Sequence, residues 1–186
     1  MYRAFLASVV VVVTTGVVLV AGERRKPEDK DEEAKEIREK FYRCWVEIER
    51  VRGGISTKDP DDLSACDFNE KQLGRWPRRG ELSQRIQKPG PRIDPKANPM
   101  RVDFRGEGRS KNFGGDEGDE IVPIVSPCIF KFDGENLVIA YGETWVVEKE
   151  LKKGEDYPGR PADFTSTKMN KRTIETMKPC GMWETD

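Results

Sequence analysis

The stretch from Ile129 to Tyr141 restricts the fold of this chain more than any other. Ile129-Phe130-Lys131-Phe132 and Leu137-Val138-Ile139-Ala140-Tyr141 are two β-rich runs with Asp133-Gly134-Glu135-Asn136 between them. Asp-Gly tolerates positive φ at both central positions of a tight turn, and such turns match the twist of the strands they join. The segment predicts an antiparallel hairpin. Phe130, Phe132, Val138, Ala140 and Tyr141 mark its alternation, with one face directed to the interior.

Weaker signals elsewhere agree. Trp45 to Val51 reads as extended and stops at Gly53-Gly54. Short strands are predicted near residues 82–86, 101–104 and 144–147, and a final one over Thr173 to Met177. Ala34, Ile37 and Phe41 fall at helical spacing and predict a short helix over 33–43. Residues 106–120 and 154–161 read as loops. Many short strands separated by turn residues predict a mostly β chain, built as a single antiparallel barrel or sandwich.

The N-terminus is of another kind. A basic residue, Arg3, precedes the apolar run Ala4 to Val20; small residues Ala21-Gly22 and the charged Glu23-Arg24-Arg25-Lys26 follow. That order describes a secretory signal peptide over residues 1–22. The alternative is an uncleaved anchor formed by residues 4–20, at the short end of the roughly 17–25 residues a spanning helix needs. Residues 23–34 then form a charged tether and residues 35–186 the folded domain, which is long enough to bury a core. An exported location is expected: periplasmic, envelope or extracellular. Four cysteines, Cys44, Cys66, Cys128 and Cys180, fit two disulfides in an oxidising compartment, with three connectivities open. No CxxC occurs, which argues against a zinc knuckle or a thioredoxin-like site.

Chemistry is narrowed by what is missing. The chain has no histidine. That removes Ser-His-Asp and Cys-His catalysis, the HExxH proteases and nearly all catalytic zinc sites. Carboxylate chemistry of the glycosidase kind stays open, but among 34 acidic residues any pair can be named. No catalytic, cofactor or metal residue is assigned. Asp116-Glu117-Gly118-Asp119-Glu120 and Asp59, Asp61 and Asp62 lack calcium-loop spacing and read as solvated acidic loops. The net charge of −1 gives no nucleic-acid footprint. The basic-aromatic patch of Arg75, Trp76, Arg78 and Arg79 reads as a solvated loop.

Several pieces stand together in one order. They are Trp45-Val46-Glu47-Ile48, the Pro-rich segment Ile93 to Phe104 with Asp103, the hairpin with Phe130, Asp133 and Gly134, and Arg160-Pro161-Ala162-Asp163-Phe164. Over Cys44 to Lys178 the chain resembles a family of small uncharacterised exported domains expanded in planctomycetes. Departures are Arg43 where the family usually has Gly and Phe130 where it usually has Tyr. The resemblance implies a lipocalin-like antiparallel β-barrel and no activity. In such a barrel an early Trp packs at the closed end against a late arginine, for which Arg160 and Arg172 are candidates. Arg160 is expected to bond backbone carbonyls or Asp163, with Pro161 fixing a turn and Phe164 anchoring it. First and last strands are neighbours in a closed barrel, which favours Cys44–Cys180 and leaves Cys66 with Cys128.

The functional expectation is a non-enzymatic domain that binds a small apolar ligand or an envelope partner. A filled barrel acting as an interaction module is the alternative, and a carboxylate hydrolase a distant third. Membrane contact is expected only through an uncleaved N-terminal segment.

Overall fold

The Asp-Gly hairpin forms, and the rest of the sheet is assembled on both sides of it. The computed structural model describes residues 27–59, 62–77, 85–109, 120–147, 151–152 and 155–181. The signal or anchor segment, Asp61 and residues 116–119 lie outside them. Elements follow as α1 (Pro27–Phe41), β1 (Cys44–Arg52), β2 (Ile55–Thr57), β3 (Ser64–Phe68), β4 (Leu73–Pro77), β5 (Arg85–Gln87), β6 (Arg92–Asp94), β7 (Met100–Arg109), β8 (Ile121–Asp133), β9 (Asn136–Tyr141), β10 (Trp145–Val146) and β11 (Thr173–Pro179). Every strand pair is antiparallel.

The strand order is β5-β4-β3-β1-β11-β9-β8-β7-β6, with β2 on β1 and β10 on β8. First and last long strands are neighbours, as expected. No ladder joins β5 to β6 among the described residues, which form one curled antiparallel sheet, a half-barrel. One side chain crosses beside the seam: Gln87 Nε2 of β5 donates to Arg105 O of β7 over 2.8 Å.

In the hairpin, Gly134 takes φ 61°, and Asp133 pairs with Asn136. Phe130 opposes Ile139, Phe132 opposes Leu137 and Cys128 opposes Tyr141. Residues directly opposed across a ladder share a face. The inward set is therefore Phe130, Phe132, Leu137, Ile139 and Tyr141. Val138 and Ala140 belong to the opposite face, where they pack with Ile129, Ile174 and Phe164. Both faces are apolar, so alternation alone did not separate them.

The helix starts earlier than expected, so residues 27–34 are helical rather than a tether. Pro27 suits a first helical position. Acidic residues crowd the early turns, and Arg38 and Lys40 fall in the last, which favours the helix dipole. Its apolar stripe closes one end of the half-barrel. Phe41 is fully buried, stacks on Phe68 at 5.1 Å and meets Phe130 edge-on at 4.9 Å. Burying a side chain of this size contributes about 1.5–3 kcal/mol. Trp45 Nε1 donates to Phe41 O over 2.9 Å, and Lys40 Nζ donates to Gly134 O over 3.0 Å. The closed end thus holds helix, first strand and hairpin turn together.

Trp45 does plug this end, but the arginine over its ring is Arg43, at 4.5 Å. Arg160 and Arg172 sit on the outer face. Cys44 and Cys180 are joined, with Cα atoms 5.4 Å apart. The second expected bridge is absent: Cys66 and Cys128 are free buried thiols.

Candidate functional site

Strand alternation puts Glu47 on the same face as Trp45, two residues along β1, and Glu175 on the same face as Met177 of β11. Both carboxylates therefore point inward and are buried. A bulge between Glu47 and Glu49 shifts the β1 register, and Arg50 turns back to Glu47, with Nη2 2.5 Å from Oε2. The Ser64 amide donates to the same oxygen over 2.9 Å. From β4, Arg75 Nη2 lies 2.6 Å from Glu175 Oε1 and 3.8 Å from Glu47 Oε2. Tyr141 of β9 donates its hydroxyl to Glu175 Oε2 over 2.7 Å. Four strands thus supply one network of two carboxylates, two guanidiniums and a phenol.

Its balance is uneven. Among the described residues, no hydrogen-bond partner meets the buried Glu47 Oε1. Burial first, and the neighbouring Glu175 second, push the Glu47 carboxyl above its ordinary value; Ser64 N–H and Arg50 oppose this less strongly. Burial also holds Tyr141 well above the usual phenol range. Cys66, beside the network, is pushed up to about 12 by burial, and Cys128 is raised by the same cause. Both stay thiols rather than nucleophilic thiolates.

The direction for Glu47 fixes a pH response. Between the ordinary value of 4.5 and its higher folded value, the native state holds a proton that the unfolded chain has released. That contribution is fully present below 4.5 and is lost as pH rises through the folded value. The facing groups are Arg50 of β1, Arg75 of β4, Glu175 of β11 and the Ser64 amide of β3. Glu47→Gln keeps an acceptor but cannot ionise. Urea midpoints between about pH 4 and pH 7 should show wild type losing stability relative to the variant as pH rises. Parallel curves would show that Glu47 titrates alike in both states.

A cleft of about 960 Å³ lies beside this network, along the seam between β4–β5 and β7–β8. Arg75 and Tyr141 belong to its lining, with Phe104, Leu73, Ile124 and Gln87. Phe104 and Tyr141 stack with ring centroids 5.7 Å apart. The cleft is apolar along one wall and charged where it meets Arg75.

Among the described lining residues of this cleft there is none of the signature residues. Trp45 and Phe130 are fully buried in the core, and Asp133 and Gly134 make the hairpin turn. Asp103 and Arg160 are brought together on the outer face, with Arg160 Nη2 2.5 Å from Asp103 Oδ1. Arg160 Nη1 donates to Cys128 O over 2.6 Å and lies 3.4 Å from Val102 O; Nε reaches Asp156 Oδ1 at 2.6 Å. The carbonyl expectation holds, but the carboxylates are Asp103 and Asp156. Asp163 instead pairs with Arg172 at 2.9 Å. Pro161 is buried, and Phe164 packs on the outer apolar cluster under Lys131. These residues clamp the segment 156–164 onto β7 and β8.

Sequence reasoning missed Glu47, Glu175 and Arg50, and placed Arg75 in a solvated loop. The available signal was period two: acidic residues in phase with the apolar Trp45 and Met177. No helix among the described residues is long and apolar enough to cross a membrane. No family model, curated protein or solved structure matches the chain.

Proposed function

We propose that this protein is an exported, non-enzymatic, lipocalin-like binding module that holds one small molecule in the cleft along the seam of its half-barrel. The cleft over the Arg75–Glu175–Tyr141 network carries the reading. Ligand sites occupy about 300–1,000 Å³, mostly apolar with a few polar groups fixing orientation. The cleft has that size, an aromatic wall and one polar end. Its ligand is accordingly apolar in body but not apolar throughout. The Cys44–Cys180 bridge supports an oxidising compartment. Glu47 and Glu175 converge, yet both are bound to guanidiniums and shielded from solvent, so hydrolysis forms no part of this reading.

Native mass spectrometry of the protein recovered from an oxidising compartment tests it. A defined adduct that leaves on denaturation supports the binding module and gives the ligand's mass. A bare chain, also bare after incubation with a cell-envelope extract, moves the reading to a filled interaction module.

A further inference from the structure

The cleft is built unevenly around Arg75. Its guanidinium uses Nη2 alone on the buried carboxylates. Among the described residues no acceptor meets Nε or Nη1, and the side chain is one-third exposed, at 34%. Glu175 cannot turn toward those donors. Its Oε1 faces Arg75 Nη2 and Arg50 Nε, and its Oε2 holds the Tyr141 hydroxyl. Arg75, which lines the cleft, therefore keeps donors at Nε and Nη1 that its carboxylate partners do not use, and it is held in place by groups behind it.

The charge around those donors is biased the same way. Arg50 and Arg75 face Glu47 and Glu175, and burial inclines Glu47 toward its neutral form. At the rim the exposed Lys88 and Glu107 oppose each other in sign. Nε and Nη1 lie on opposite sides of the guanidinium, so each offers one charge-assisted hydrogen bond to a carboxylate oxygen, a bond that an alcohol makes without opposite charge and an ammonium head cannot make at all. Beside the guanidinium lie the stacked Phe104 and Tyr141 rings, with Leu73 and Ile124.

Resting on the binding reading above, we infer that the cleft selects amphiphiles with a carboxylate head. The head accepts from a donor of Arg75 that the buried carboxylates leave unused, and the apolar body lies along Phe104 and Tyr141. Arg75 is at once the ligand's counter-ion and the cap of the buried carboxylate pair.

Three probes sharing one alkyl chain test this by calorimetry below their micelle concentrations: laurate, dodecanol and dodecyltrimethylammonium. Laurate should bind at least about tenfold more tightly than dodecanol, as expected for a charge-assisted pair. The ammonium should bind most weakly. Added salt should weaken laurate binding and leave dodecanol binding unweakened, because only the former gains from charge. Arg75→Lys keeps a cation against Glu175 but has no second nitrogen to offer the head, so it should erase most of the laurate preference. If that variant fails to fold, the salt series on wild type still decides. Equal affinity for all three probes overturns the carboxylate inference and leaves the cleft as a binding site. Failure of laurate to bind overturns it outright, and an adduct of other chemistry in the native spectrum then separates this failure from that of the binding reading.

Discussion

Cys180→Ser should lower the stability of this protein by about 2–5 kcal/mol, the range seen on losing a native disulfide from a small domain. The bridge spans 136 residues of sequence, from the first residue of β1 to the residue after β11. Constraint of the unfolded chain grows with the logarithm of loop length, which gives about 5 kcal/mol for a loop this long. The native side adds little, because the ends of the two strands are already held. Trp45 pairs with Pro179, and the Cys180 amide donates to Cys44 O over 3.1 Å. Most of the effect therefore lies in the unfolded state, and the variant should keep its fold. Urea denaturation is the measurement: wild type in reductant should move to the midpoint of the variant. Thiol titration of the denatured, unreduced protein should give two free thiols, Cys66 and Cys128. Finding none would place a second bridge where the structure has buried thiols.

The second large effect is expected at Arg160. Its side chain is 8% exposed and bonds two carboxylates and two carbonyls at once. Arg160→Ala leaves Asp103 under-compensated and the Cys128 carbonyl without this donor. Breaking a buried ion pair costs about 3–5 kcal/mol. Asp156 is one-third exposed, so its share is discounted for screening and the total should fall near 3 kcal/mol. Arg160→Lys should recover only part, since one ammonium cannot reach four acceptors lying in different directions. The loss should be local first. Amides of residues 156–164 should exchange faster, and Phe164 should leave the outer cluster. An unchanged urea midpoint would mean that the clamp is held by Pro161 and Phe164 instead.

These residues differ in how visible they were beforehand. Arg160, Pro161 and Phe164 stood out as a compact motif, but the carboxylate expected beside Arg160 was the nearby Asp163, and its pairing with Asp103 and Asp156 across the sheet was not legible. The hairpin was legible because its turn chemistry and both strands agree. The helix was legible from Ile37 and Phe41, although its start was not, since acidic residues suit a tether and a helix N-terminus equally.

The strands β3 and β4 were not legible, for a physical reason. Their inward positions include Cys66 and Arg75, and Gly74 and Pro77 interrupt the second. A strand whose inward face serves a buried ion network loses the apolar alternation that identifies strands. The cleft's polar floor was hidden by the same cause. Glu47 and Glu175 look ordinary among so many acidic residues until the ladder brings them to one guanidinium. Composition describes how many charges a chain has, whereas register decides which of them face each other.

The open seam of the half-barrel has a bearing on how copies of this protein behave in crowded solution. An unpaired strand edge is a template on which another chain can grow a sheet. Here each end of the strand path is a segment of three residues, β5 and β6. On β6 the exposed Arg92 and Asp94 flank Ile93, and Pro91 and Pro95 bracket the strand with backbone nitrogens that cannot donate. Such an edge offers an incoming strand too few partners for a stable ladder. The open seam is thereby kept shut to its own kind.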